Sequence, residues 1–526
     1  MVNSQIHEST NSPVPRAALR VVASLAFVVA LRMAAGALSA QAPPEVPEVQ
    51  VQLGDLLLAE GRYADAAAAY RRALPSPALG ARAGVGLVVT QLRLGDFDRA
   101  HAEATALRQR YQGDAAVAAV NGDALWAFGL FEDADAAYEA ALAADPSQAR
   151  ARHGRARGLA AKSRLTDAIA EVQEALRLNP REAEFHYTSG SIYARMHRFE
   201  EAALAFRNYV NLLPNRDVSD KAAWARAEIR FFDSFKGRRP VDIGGDDPGR
   251  VWRVPIRIDR DKVLVRGKVN GGGEQEFILD TGAEQTVISR DIARRRGVVP
   301  VTYVQSAGVG EVGLRGLQVG RLETLEVGDL KVRNVPCLIK NPPLGGLPAR
   351  EPESFSPLAL GLSMRVDYAR RELLMTRRLA PDRPSAATPA QSKNTAELPL
   401  RMHRLAMVVG TVNRTHKATF VVDTGGEVIS ISQTTAGLIQ PEPAFRRIPL
   451  KVYGTSGWDK DAFLMPNVDL EFNSIRFNRI PVVVLNLKAP STLLGFQLGG
   501  IVGHRFLSKY RVSIDLDRSL VGLEAN

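Results

Sequence analysis

One internal period constrains this chain more than any other feature. Stepping by 34 from Gly61 lands on Gly95, Gly129, Ser163 and His197. Five residues beyond each stands an alanine: Ala66, Ala100, Ala134, Ala168 and Ala202. Nine residues beyond stand Tyr70, Ala104, Tyr138, Val172 and Phe206, and the last three units close on Pro146, Pro180 and Pro214. A small residue lets two helices approach, and a large apolar one four positions later lies on the same helix face. Proline then stops the second helix. The spacing predicts five helical hairpins over about 47–216, each burying its apolar face against the next.

This pattern resembles the tetratricopeptide (TPR) repeat. Ser163 and His197 depart from it at the turn glycine, and Ala104 departs from it at the aromatic position. The resemblance implies a concave surface that holds a peptide or a protein partner. The other use of such a solenoid is as a spacer or an intramolecular brace. Residues 217–250 are expected to end it. SDKAAWARAEIRFFDSFK (219–236) reads as a capping helix with Trp224, Ile229 and Phe232 facing in, and GRRPVDIGGDDPGR (237–250) reads as a linker.

Beyond residue 250 the period changes to short β-branched runs such as VWRVPIRI, KVLVRGKV and EFILD. EFILDTGAEQTVIS then places Asp280-Thr281-Gly282, and TFVVDTGGEVISIS places Asp423-Thr424-Gly425. The surroundings repeat at the offset that separates these two aspartates. Val265, Gly267, Val269, Asn270 and Phe277 match Val408, Gly410, Val412, Asn413 and Phe420, and Ile288-Ser289 matches Ile431-Ser432. An apolar-apolar-Gly triplet follows each copy at almost the same distance, Ala359-Leu360-Gly361 after the first and Ile501-Val502-Gly503 after the second. A lone Asp-Thr-Gly is ordinary turn chemistry; two copies in matched surroundings indicate a duplicated lobe. The first copy runs from Gly361 to Asp367 in six residues where Gly503 takes twelve to reach Asp515, so most of the helix at this point in lobe 1 is expected to be trimmed.

These residues resemble the aspartic peptidases, each copy being similar to a retropepsin-type unit. The expected architecture is an all-α TPR solenoid followed by a bilobal, mostly-β acid-protease fold. Lobe 1 spans 251–378, a Pro/Ala/Ser-rich linker 379–396, and lobe 2 397–526. The chemistry has a reason. Two carboxylates about 3 Å apart cannot both ionise, so the pair holds one acid and one base near neutrality. The base takes a proton from a water between them, and the acid supports the tetrahedral intermediate. Asp280 and Asp423 are the expected catalytic pair, requiring no metal or cofactor and titrating as a unit. Thr281 and Thr424 can bridge the two loops, and Gly282 and Gly425 allow backbone geometry that a Cβ would obstruct. The resemblance implies that the Gly361 and Gly503 regions pack behind their own aspartates. It also implies a flap downstream of an aspartate, where Gly308 and Gly310 (SAGVGEVG) and Tyr453 and Gly454 (YGTSGW) stand. The GxGxxG at Gly308–Gly313 lacks the following helix that dinucleotide binding demands.

The expected activity is aspartic endopeptidase action on a peptide or protein substrate, with a protein partner on the TPR concave face. The alternative is a non-hydrolytic, protease-like binding module on a TPR scaffold. Pairing of lobes between separate molecules is a third arrangement.

The N-terminus carries an apolar run, VVASLAFVVAL (21–31), after Arg16 and Arg20 and before a small-residue stretch ending near Ala40. This describes a secretory signal peptide over 1–40, hence a periplasmic or secreted protein; the competing reading is a membrane anchor at 21–40, with Arg32 in its middle. One cysteine, Cys337, excludes an internal disulfide or a Cys-rich zinc site and is expected to be a buried strand thiol. His504 is expected to face out from a short helix. A net charge of +11 over 526 residues is weak evidence for nucleic acid, and none is expected as a partner.

Overall fold

The structure, a computed structural model, describes residues 46–214, 219–245, 247, 249–307, 314–340, 353–379, 395–439, 447–454 and 457–525. The apolar run 21–31, Gly308, Gly310 and most of the 379–396 linker lie outside the described residues.

The N-terminal half is a TPR solenoid. Its hairpins are α1 (Pro47–Ala59) with α2 (Tyr63–Ala73), α3 (Gly80–Leu94) with α4 (Phe97–Arg110), α5 (Ala115–Ala127) with α6 (Phe131–Ala144), α7 (Ala149–Ala161) with α8 (Leu165–Leu178), and α9 (Ala183–Arg195) with α10 (Phe199–Leu212). All five alanines of the period are fully buried. Tyr138 shows why the period holds: its ring lies where a Cβ on Gly122 or Gly154 would come within 2.5 or 2.2 Å, so two neighbouring helices close around it. The turn position is left-handed in every repeat, including Ser163 (φ 57°) and His197 (φ 56°), which occupy it without glycine's freedom. A final helix, α11 (Asp220–Asp233), is capped by the Ser219 hydroxyl and buries Phe231 and Phe232. Trp224 and Ile229 pack against the same cluster.

The C-terminal half is β-rich. Lobe 1 comprises β1 (Val251–Pro255), β2 (Arg257–Asp259), β3 (Lys262–Val269), β4 (Gln275–Leu279), β5 (Thr286–Ile288), β6 (Pro300–Ala307), β7 (Leu314–Val327), β8 (Leu330–Ile339), β9 (Glu353–Phe355), β10 (Ser363–Asp367) and β11 (Glu372–Thr376). Lobe 2 comprises β12 (Thr395–Pro399), β13 (Arg401–His403), β14 (Leu405–Val412), β15 (His416–Val422), β16 (Ile429–Ser432), β17 (Ile448–Pro449), β18 (Val452–Gly454), β19 (Gly457–Asp459), β20 (Phe463–Phe472), β21 (Ile475–Leu485), β22 (Gly500–Val502), β23 (Tyr510–Asp515) and β24 (Leu520–Ala525). One lobe's sheet runs β2-β3-β4-β9-β5-β8-β7-β6 and the other's β13-β14-β15-β22-β16-β21-β20-β17, the same order strand for strand. A six-stranded sheet, β1-β11-β10-β23-β24-β12, joins them at its centre, where Met364 faces Ile514.

Strand pairing corrects the alignment of the two lobes. Asp280 N–H donates to Phe355 O (2.9 Å), and Asp423 N–H donates to Val502 O (3.0 Å). Ser354-Phe355-Ser356 is therefore the counterpart of Ile501-Val502-Gly503, and Ala359-Leu360-Gly361 is not. Gly361 instead caps the 3-10 turn Leu358–Leu360 in a left-handed conformation. Measured from Ser356, the path to Asp367 is nearly as long as that from Gly503 to Asp515. The turn stands where lobe 2 has the helix His504–Leu507, so lobe 1 is complete rather than trimmed. The triplet misled because it scores residue type, whereas the strand position is fixed by hydrogen-bond register. His504 is also buried, its ring 5.4 Å from Tyr368. Cys337 is buried on β8.

Residues 237–250 do more than connect. Val241 N–H donates to Asn334 O and Asp242 N–H to Arg333 O, and Val241 and Ile243 enter the lobe core. The solenoid itself is bound to the β-rich half. Thr419 Oγ1 donates to Gly129 O (2.7 Å), Gln497 N–H to Ala127 O (2.8 Å), and Arg195 Nη1 to Met402 O (2.9 Å). Buried Arg401 pairs with Glu132 (3.0 Å) and Asp135 (3.1 Å) of α6. The rings of Phe131 and Phe496 meet edge-on at 5.2 Å. Gly129 suits this contact, since a Cβ there would lie 2.9 Å from Gln497 O. Across the groove, Arg93 of α3 pairs with Glu182 and Glu184 at the start of α9. TPR repeats generally mediate protein–protein contacts, and here the solenoid grips its own chain.

Candidate active site

Each lobe ends a buried strand in Asp-Thr-Gly. β4 (Gln275–Leu279) and β15 (His416–Val422) are apolar where they approach the site, and each lies parallel to a second strand, β9 or β22. Their C-terminal ends meet between the lobes.

The two threonines tie the loops together. Thr281 Oγ1 donates to Val422 O (2.6 Å) and accepts from Thr424 N–H (3.0 Å). Thr424 Oγ1 donates to Leu279 O (2.7 Å) and accepts from Thr281 N–H (3.1 Å). Both side chains are buried, so each hydroxyl replaces its lost water contacts in full. The glycines make room for the acids: a Cβ on Gly282 would lie 2.5 Å from Asp423 Cγ, and one on Gly425 2.6 Å from Asp280 Cγ.

Each carboxyl therefore packs against the opposite lobe's loop, near enough to the other acid for the charge of Asp423 to act on Asp280. Asp280 Oδ1 accepts from Gly282 N–H (3.0 Å), and Asp423 Oδ1 accepts from Gly425 N–H (2.8 Å) and Gly426 N–H (2.9 Å). Burial, and then the charge of Asp423, push the Asp280 carboxyl up to about 7, against hydrogen bonds from the Ser354 hydroxyl and Gly282 N–H. Such a pair can hold one proton at mildly acidic pH, with one oxygen free to accept a proton from water and another able to donate. Among the described residues no cluster of His, Cys, Asp and Glu could hold a metal ion.

Three supports escaped the sequence reading. Ser354, on the strand behind Asp280, bonds its carboxyl, where lobe 2 has Ile501. Arg404 of lobe 2 pairs with Glu284 of lobe 1 (2.7 Å). Lys262 of lobe 1 reaches Gly425 O (2.6 Å) and Glu427 (3.4 Å) of lobe 2. Glu284 and Glu427 repeat at the same offset as the two aspartates, a legible signal. Their cationic partners sit at unmatched positions, Lys262 at the start of β3 and Arg404 in the β13–β14 turn, which the repeat does not mark.

Both flap candidates neighbour hairpin strands. Ala307 pairs with Leu314 in β6–β7, flanking the segment that holds Gly308 and Gly310. Tyr453 and Gly454 lie on β18, paired with Trp458 and Gly457 of β19.

The family model described as "gag-polyprotein putative aspartyl protease" matches residues 265–347. The tetratricopeptide repeat model matches 27–81, 86–149, 119–183 and 153–217. The chain thus carries a retropepsin-like aspartyl protease domain and TPR repeats. No curated protein matches it. Solved structures similar to it include two described as TPR proteins. TTC0263, a thermophilic TPR protein from Thermus thermophilus, is 24% identical, covering 34% of this chain and 99% of its own, with a TM-score of 0.29. MamA 41-end from Desulfovibrio magneticus RS-1 is 20% identical, covering 34% and 99%, with a TM-score of 0.24. YrrB, described as a TPR protein with an unusual peptide-binding site, is 18% identical, covering 36% and 94%, with a TM-score of 0.22.

Proposed function

We propose that the chain is an aspartic-type endopeptidase whose catalytic pair is Asp280 and Asp423, both contributed by one molecule. The observation that carries this reading is the convergence of the two Asp-Thr-Gly loops, held by reciprocal threonine bonds across the lobe junction with each carboxyl against the opposite loop's glycine. The ionised member takes a proton from a water lying between the acids. The water oxygen attacks the substrate carbonyl, and the protonated member donates to the carbonyl oxygen as the tetrahedral intermediate forms. Collapse then passes a proton to the leaving amine. Glu284–Arg404 and Lys262–Glu427 hold the lobes in register around the pair. Gly308, Gly310, Tyr453 and Gly454 remain the proposed flap elements.

A complete lobe 1 removes the main ground for a non-hydrolytic module. The deciding experiment is cleavage of a diverse peptide library by the full chain across pH 3–7, beside Asp280→Asn and Asp423→Asn. Cleavage by wild type alone supports the reading; equal cleavage by the variants, or none by a folded wild type, refutes it. We further propose export, on the basic and apolar pattern before Ala40. N-terminal sequencing of the mature protein tests it: a start near residue 40 or 41 supports cleavage, and an intact N-terminus in the membrane fraction supports the anchor at 21–40.

A further inference from the structure

A cavity of about 870 Å³ lies between the solenoid's inner face and the lobes, within the usual size range of ligand sites. Its solenoid wall comes mainly from α7, α9 and α11, with Trp126, Leu165 and Phe199 of α5, α8 and α10, and its other wall includes Glu284 and Gln285, four and five residues past Asp280. On α11, Glu228 lines this cavity and is 5% exposed. Among the described residues its carboxyl has neither a hydrogen bond nor an ion pair. A carboxyl this deep normally has a partner. The charges that act on it are Arg404 and Glu284, which already pair with each other, Arg404 lying over the Trp224 ring at 4.7 Å.

We propose that this cavity is a substrate subsite in which Glu228, beside Glu284, receives a cationic group of the polypeptide: the ammonium or guanidinium of a basic side chain, or a free α-amine. The wall also carries Arg195, Arg239 and Arg377, while its Arg157, Arg198 and Lys221 are already paired with other carboxylates. The charges that act on Glu228 itself are Arg404 and Glu284, and Arg404 is held by Glu284, so an ionised Glu228 has no ion-pair partner of its own among the described residues. Burial pushes the Glu228 carboxyl up to about 8, so it waits in its neutral form. A cation arriving within about 4–6 Å lowers a carboxyl by roughly 1–3 pH units, enough to ionise Glu228 near neutrality and form a charge-assisted bond. The solenoid then supplies one wall of the substrate site, joined to the loop that carries Asp280.

The inference rests on the endopeptidase reading for its effect on cleavage, but binding separates the two. The full chain carrying Asp423→Asn, which cannot turn over its ligand by the proposed mechanism, is titrated with N-acetylated peptides that differ only in lysine against norleucine. A second pair has free or acetylated N-termini and no basic residue. The expected result is at least about tenfold tighter binding of whichever member carries the cation, reduced to parity by adding Glu228→Gln. The lysine–norleucine pair locates a side-chain subsite and the terminus pair an α-amine subsite. Equal affinity within both pairs, or a preference that survives Glu228→Gln, overturns the inference. If neutral peptides are nonetheless cleaved by wild type, the endopeptidase reading stands without it; if no peptide of any kind binds or is cleaved, both fall.

Discussion

Replacing Asp280 with Asn removes the shared proton and the repulsion that raises it, so it separates catalysis from stability in one variant. The carboxyl moves from an ordinary 3.8 to about 7 in the folded chain. The folded protein therefore binds more protons than the unfolded chain between those values, and stability falls as pH rises through that window. Roughly three pH units at ~1.4 kcal/mol each correspond to about 4 kcal/mol lost from the wild type between pH 4 and pH 7, with no further loss above that from this group. The Asn variant lacks this slope. Urea denaturation of both proteins at pH 4.5 and pH 8 checks it: Asp280→Asn should be comparable to wild type in acid and more stable by a few kcal/mol at pH 8, while losing peptide cleavage by at least ~10²-fold. The same dependence on pH in both proteins would refute the claim that the two acids share a proton held above the ordinary carboxylate range.

Thr424→Val keeps the shape but strands Leu279 O and Thr281 N–H, so it should cost about 1–3 kcal/mol in denaturation, with Thr424→Ser restoring most of it. Gly503→Ala should destabilise lobe 2 by roughly 1–3 kcal/mol, because the added Cβ would lie 2.5 Å from Val428 O. Ser356→Ala, at the matching position of lobe 1, should be neutral within about 0.5 kcal/mol, since its buried hydroxyl has no partner among the described residues. Arg401→Met should weaken docking by about 1–3 kcal/mol, discounted for the partial exposure of Glu132, and split a single melting transition into separate steps for the solenoid and the β-rich half.

The positions of Asp280 and Asp423 were legible because the chain repeats itself. The strands before them are continuous apolar runs, and matching glycines, asparagines and serines recur at the spacing of the two acids. The Ala359-Leu360-Gly361 match failed because residue type alone cannot fix strand register; the hydrogen bond from Asp280 N–H to Phe355 O does. Ser354 and Arg404 were hidden for a related reason: their partners are distant in sequence, and neither has an identical counterpart in the other lobe.

Local pattern thus determined the hairpin solenoid, since its strict period dictates which helix faces must be apolar, and it determined the duplicated carboxylates. What the solenoid does was decided in three dimensions. Nothing along residues 127–135 announces that Ala127 O, Gly129 O, Glu132 and Asp135 receive groups from a domain roughly 270–370 residues away in the chain. Docking depends on matching two surfaces, each folded from separate segments, and a one-dimensional pattern encodes each surface without encoding their fit.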